Sequence, residues 1–214
     1  MTERAFAWGC LDTPVGRLSV ACTAAGVAKL RYGDVPKTAD AATADATRPA
    51  VPGSQASALL DAAVAELAEY FGGRLKSFSV PVDLSATSGA RRAVLSVLQE
   101  SVGFGETITY GGLADRAGLT EASLTGSAPA GGGQVLPARV VGQVMASNPC
   151  AVIVPCHRVV AGSGLGGYSG GTGTDVKQWL LIFEGAIPAT LDWDPTGVSP
   201  ARPDAARPTP AGPR

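Results

Sequence analysis

Apolar and polar positions alternate along RLSVACTAAGVAKLRY, residues 17–32. Leu18 and Val20 on one arm and Val27 and Leu30 on the other, with a glycine between, predict two short strands joined by a turn. Over SALLDAAVAELAEYF (57–71) the spacing lengthens, and Leu60, Val64, Leu67 and Phe71 share one face of a predicted helix that Gly72-Gly73 stops. FSVPVDL (78–84) reads as extended, either an edge strand or a connection to a second domain. Helical spacing dominates beyond it. RRAVLSVLQES (91–101) aligns Leu95 and Leu98 with Val102, and YGGLADRAG (110–118) is a short helix ending at glycine. PARVVGQVMASN (137–148) opens with Pro137 at a favoured first helical position. DVKQWLLIFEG (175–185) turns Val176, Leu180 and Phe183 inward and closes on Gly185.

This pattern divides the chain into a small α/β unit over 1–85 and a mainly helical part over 86–186. Three stretches interrupt it. Residues 33–54, rich in Ala, Thr, Asp and Pro, read as a mobile loop. TEASLTGSAPAGGGQVL (120–136) reads as a flexible insertion, and the Pro- and Ala-rich end, 187–214, as a disordered tail.

Composition narrows the class. A chain of 214 residues with 45% hydrophobic and 16% charged side chains is ordinary for a globular protein of one or two domains. The opening MTERAFAWGC lacks the apolar centre of a signal peptide, and no run approaches membrane-spanning length. Cys10, Cys22, Cys150 and Cys156 have neither disulfide-framework nor metal-site spacing, which points to a reducing cytoplasm and to no metal. The net charge of −1 gives no global basic footprint for nucleic acid.

The candidate chemistry lies in VIVPCHRVV (152–160), where Cys156 precedes His157, the one histidine of the chain. A thiol is nucleophilic as thiolate, and a free cysteine has a pKa of about 8.5, so reaction at neutral pH needs a base or cation nearby. Adjacent side chains on an extended segment point to opposite faces. His157 is therefore either incidental or acts through a bridging water. Glu184 sits near the end of its predicted helix, where the macrodipole disfavours a carboxylate. A broken local rule there signals function, or merely an exposed glutamate. Asn148 before Pro149 predicts an Asx turn. GGYSGG (166–171) follows the cysteine segment rather than opening a helix after a strand, so it is not a phosphate loop.

PCHRV, together with TPVGRLSV (13–20), LAEYFGGRLKSFSVPVDL (67–84), GETITYGGLADRAG (105–118), ARVVGQVMASNP (138–149) and GGYSGG…KQWLLIFEG (166–185), closely resembles the O6-alkylguanine-DNA alkyltransferases. The blocks run in family order over most of residues 10–186. The resemblance implies a ribonuclease-H-like N-terminal α/β domain and a winged helix-turn-helix-like alkyltransferase domain. It implies a monomer that acts on double-stranded DNA containing O6-alkylguanine, flips the base out of the duplex, and moves the alkyl group irreversibly to Cys156. No cofactor is implied, since the DNA brings the alkyl group.

By resemblance, His157 takes the thiol proton through a water and Glu184 orients its ring. Asn148 braces the cysteine loop, and Arg158 supports it. Tyr110 donates to the guanine ring, Ser169 bonds O6, Tyr168 forms a lid, Met145 lines the pocket, and the carbonyls of Cys156 and Val159 receive the guanine amino group. Helices 110–117 and 137–147 form the helix-turn-helix, whose second member enters the minor groove with Gly142 and Gln143, while Arg139 takes the place of the flipped base.

Three features depart from the family pattern. The insertion 120–136 replaces a short turn, Val140 and Val144 stand where small alanines are usual, and residues 87–186 carry six basic and six acidic groups. That balance predicts weak, modestly salt-dependent duplex binding. Two other classes compete with repair: a binding module that senses damaged bases without reacting, and an unrelated thiol hydrolase.

Overall fold

The computed structural model describes residues 5–35, 48, 49, 51–120, 136–191 and 193–198. Most of the expected loop at 33–54 and of the insertion at 120–136 lies outside them. The N-terminal part is a four-stranded sheet of order β3-β2-β1-β4. Its strands are β1 (Ala5–Thr13), β2 (Gly16–Thr23), β3 (Gly26–Tyr32) and β4 (Arg48–Pro49), with β1–β2 and β2–β3 antiparallel and β1–β4 parallel. The two strands expected at 17–32 are β2 and β3. Strand β1 carries no clean alternation, and a glycine interrupts it, so its sequence gave no signal. Gly9 sits close under Leu60 of the covering helix, where a Cβ would lie 3.3 Å from its methyl groups.

Helix α1 (Gln55–Phe71) covers this sheet and is capped by Ser54, whose hydroxyl accepts from the Ser57 N–H. Its buried stripe is Ala56, Ala63, Leu67 and Tyr70. The expected stripe of Leu60, Val64, Leu67 and Phe71 is thus rotated by about a residue. Leu67 lies at its centre, Leu60 and Phe71 flank it half-buried, and Tyr70 goes fully inside. The extended segment 78–84 is a connection rather than a full strand. It touches the sheet through Val27 N–H to Pro81 O (2.8 Å) and Asp83 N–H to Val27 O (2.8 Å).

The C-terminal part holds α2 (Gly89–Ser101), β5 (Ile108–Thr109), α3 (Tyr110–Arg116), α4 (Pro137–Ala146), a 3-10 turn (Cys156–Arg158), β6 (Val159–Val160) and α5 (Thr174–Phe183). Helices α3 and α4 pack together, and β5 and β6 pair in parallel, Ile108 opposite Val159. Val144 turns into the core and Val140 is half-buried on it, so the larger side chains are accommodated inward. The two parts share one apolar cluster, running from Leu18, Val20 and Leu67 through Leu95 and Leu98 to Val141, Val154 and Leu180.

The chain end is a correction. Residues 187–191 and 193–198, expected to be disordered, return across the molecule. The Trp179 indole donates to Asp194 O at 2.7 Å, Trp193 lies against Trp179 at 6.2 Å between ring centroids, and Val198 N–H reaches Pro14 O at 2.8 Å. Trp193, whose apolar area the proline and alanine content concealed, anchors this stretch on Trp179 of α5. Residues 199–214 lie outside the described ones.

Candidate active site

The cysteine segment is placed by both parts of the chain. Leu30 N–H of β3 bonds Pro149 O at 2.7 Å, tying the start of the segment to the sheet edge. Asn148 forms the expected Asx turn, accepting from Cys150 N–H at 3.1 Å, while its amide donates to Val154 O at 2.8 Å. One side chain thus spans the loop that ends at Cys156. Inside that loop Val152 has φ of 71°, a left-handed backbone that is an outlier for a β-branched residue. Such outliers cost about 1–3 kcal/mol and gather at functional sites.

Cys156, His157 and Arg158 are all buried. The 3-10 turn sends successive side chains in different directions, so the objection to a direct Cys156–His157 bond holds. His157 points into the core, where its Nε2–H donates to Glu184 Oε1 at 3.0 Å. Its Nδ1 is buried with no hydrogen-bond partner among the described residues, which makes Nδ1 the free acceptor.

Glu184 caps α5 and is 5% exposed, so it is no surface glutamate. Arg158 holds it in a fork, Nε to Oε2 and Nη2 to Oε1, both at 2.9 Å. Arg158 also donates to Val102 O at 2.7 Å, and the Tyr70 hydroxyl donates to Glu184 Oε1 at 2.6 Å. Although burial opposes it, His157 and then Arg158 hold the Glu184 carboxyl well below the usual carboxylate range. Burial pushes the His157 pKa down against the raising effect of Glu184. The imidazole is therefore neutral at physiological pH, as a base must be.

Burial raises the Cys156 thiol, while Asn148, Lys177 and Tyr168 pull it back. The resting group is a protonated thiol whose anion has supports already in place. Lys177 is one of the six basic groups of residues 87–186. It is fully buried, donates to Val159 O at 2.6 Å and Gly167 O at 3.1 Å, and burial lowers its pKa to about 8. The missed signal was a lysine on the inward stripe of α5, between Val176 and Leu180.

A cavity of about 360 Å³ ends at Cys156, walled by Tyr110, Gly142, Met145, Gly167, Tyr168 and Ser169. Tyr110 donates to Gly167 O at 3.3 Å, and Gly166 packs against its ring, where a Cβ would clash at 2.9 Å. Tyr168 shares a hydroxyl hydrogen bond with Tyr32 of β3 at 2.9 Å, and Ser169 donates to Ala146 O at 3.2 Å. Val159 is buried beside the cavity rather than on its wall, and its carbonyl already accepts from Lys177. Arg139 and Gln143 are exposed on α4, away from the thiol, while Gly142 reaches the cavity wall.

A two-part chain with a buried cysteine at the floor of a pocket, followed by a histidine bonded to a buried carboxylate, sets a thiol beside a helix pair. The family described as 6-O-methylguanine DNA methyltransferase matches through its ribonuclease-like domain at residues 6–84 and its DNA binding domain at residues 89–186. A methylated-DNA–protein-cysteine methyltransferase from mouse is 36% identical over 186 residues, covering 82% of this chain and 79% of that one. One from Mycolicibacterium paratuberculosis is 40% identical over 123 residues, and the match spans 63% of its length and 57% of this chain. Among solved structures, Mycobacterium tuberculosis OGT in complex with DNA superposes with a TM-score of 0.62 at 32% identity, covering 84% of this chain and 93% of that one. The chain belongs to the O6-methylguanine DNA methyltransferase family.

Proposed function

We propose that this protein repairs DNA by transferring the alkyl group of O6-alkylguanine to its own Cys156, once and irreversibly. The observation that carries the reading is a pocket that ends on a buried thiol next to a neutral imidazole with one free nitrogen. The guanine enters the cavity beneath Tyr110. The thiol proton passes through a water to His157 Nδ1. The Sγ lone pair then forms the S–C bond as the C–O6 bond breaks, and the electron pair leaves on the base. Tyr110 and Ser169 donate to the leaving guanine, and Lys177 stabilises the thiolate. Glu184 keeps the Nε2–H tautomer and balances the imidazolium as it forms. Carbonyl oxygens of Cys156 and Val159 accept from the exocyclic amine. The second lone pair of Val159 O serves this while the first holds Lys177.

The partner is double-stranded DNA, bound by α3 and α4 as a winged helix-turn-helix in the minor groove. Gly142 and Gln143 face the groove, and Arg139 fills the space of the flipped base. Unstacking costs a few kcal/mol, which pocket and phosphate contacts offset. The protein works as a cytoplasmic monomer with a ribonuclease-H-like domain over about 1–85 and the acceptor domain over about 86–186. Among the described residues no helix is long and apolar enough to cross a membrane.

The test is peptide mass spectrometry after incubation with a duplex holding one O6-methylguanine. A single methyl on the Cys156 peptide, with one equivalent consumed per protein, is the expected result. Folded protein that accepts no methyl from excess substrate refutes the reading.

A further inference from the structure

Cys156 lies where two cavities meet. The second, of about 390 Å³, opens between the end of β3 (Leu30 to Tyr32) and the glycine run at 168–171. It shares Met145, Ala146, Cys156, Tyr168 and Ser169 with the first. In-line displacement puts the departing oxygen, the transferred carbon and the sulfur on one axis. Everything else attached to that carbon projects sideways. With the purine in the first cavity, a substituent longer than methyl meets the second.

The second cavity has a one-sided charge. Arg31 is the one charged side chain on its wall, and no Asp or Glu lines it. Arg31 is exposed on β3, and among the described residues no carboxylate pairs with its guanidinium. Asp34, three residues on, is taken by Arg17 at 2.7 Å. The other polar side chains on the wall are neutral and already hydrogen-bonded within the protein. Asn148 spans its loop, Ser169 bonds Ala146 O, and Tyr32 and Tyr168 bond each other. The guanidinium is the one cationic donor on the wall, and its forked geometry suits a carboxylate.

We propose that Arg31 makes this cavity selective for O6 substituents that end in a carboxylate, such as carboxymethyl. The inference rests on the alkyl-acceptor reading above. The S–C bond forms to the methylene carbon while the C–O6 bond breaks with its electron pair going to guanine. The thiol proton passes to His157 and returns through solvent to the guanine anion, so S-carboxymethylcysteine and neutral guanine result with no net redox change.

The experiment compares single-turnover transfer from three duplexes, carrying O6-methylguanine, O6-carboxymethylguanine and its neutral carbamoylmethyl isostere, in the wild type and in Arg31→Met. The carboxymethyl-to-carbamoylmethyl rate ratio is expected to fall about two- to fivefold in the variant, the range for an ion pair made by an exposed guanidinium. Arg31→Lys is expected to recover part of the ratio, and the O6-methylguanine rate to stay unchanged. An unchanged ratio in Arg31→Met overturns the proposal. So does equal slowing of all three substrates, which would make Arg31 a phosphate contact. Loss of methyl transfer in the wild type instead refutes the alkyl-acceptor reading itself, so the two failures are distinct.

Discussion

Tyr70→Phe removes one oxygen from the interior and leaves the ring where it is, packed among Phe71, Phe78, Phe104 and Phe183. The lost bond is the 2.6 Å donation to Glu184 Oε1. A hydrogen bond to a charged group contributes about 1.5–3 kcal/mol. In a chain of this size each kcal/mol moves Tm by about 2–4 °C, so a fall of about 3–12 °C is expected in a thermal melt.

The catalytic consequence has a definite sign. Tyr70, His157 and Arg158 all donate to the same carboxylate oxygen. Without Tyr70, more of its negative charge faces His157, which favours the imidazolium. The His157 pKa therefore rises from its depressed value, and the acid limb of the transfer rate moves to higher pH. That limb belongs to the coupled thiol and imidazole rather than to either alone. Rapid-quench transfer from an O6-methylguanine duplex across the neutral range reads it directly. A lowered Tm with an unmoved limb would mean that Tyr70 only packs, and would refute the link from the N-terminal part to the base.

Glu184→Gln strands the buried Arg158 guanidinium, and breaking a buried pair costs about 3–5 kcal/mol, measurable by urea denaturation. Because the folded Glu184 carboxyl sits far below its ordinary value, the stability it contributes is complete above the unfolded pKa of about 4.3. It is withdrawn as pH falls below that value, so the wild-type advantage over Glu184→Gln is expected to shrink in strong acid; an advantage independent of pH would contradict this. Lys177→Met is expected to raise the Cys156 thiol pKa, since Lys177 is one of the groups that lower it. The pH dependence of haloacetamide labelling at the Cys156 peptide tests this, and an unshifted profile rejects it. Duplex affinity is expected to fall only modestly with salt, given the balanced charges of residues 87–186; a slope equivalent to about six released ions would contradict that expectation.

Periodicity located α2, α3, α4 and α5 to within a few residues, because each has an apolar stripe and a glycine or proline boundary. It failed at β1, where burial does not alternate cleanly, and at the chain end, where Trp193 packs against Trp179 of α5 despite its proline-rich surroundings. Asn148 was legible because an Asx turn is a local event. Tyr70 and Lys177 were not, since a tyrosine on one helix and a lysine on another acquire their roles only from what they face across the core.

Residue identity and local spacing alone made a direct Cys156–His157 bond awkward, on the premise of an extended segment where the structure has a 3-10 turn, set Glu184 against its helix dipole, and placed the helices that bracket them. Only the tertiary structure decided which way each side chain looks. It turned Glu184 inward onto His157, Arg158 and Tyr70, buried Lys177 beside the thiol, and set Tyr32 of the N-terminal sheet against Tyr168. The reason is physical. Backbone preference acts over a few residues, whereas pKa values and tautomers depend on burial and on charges brought together from distant parts of the chain.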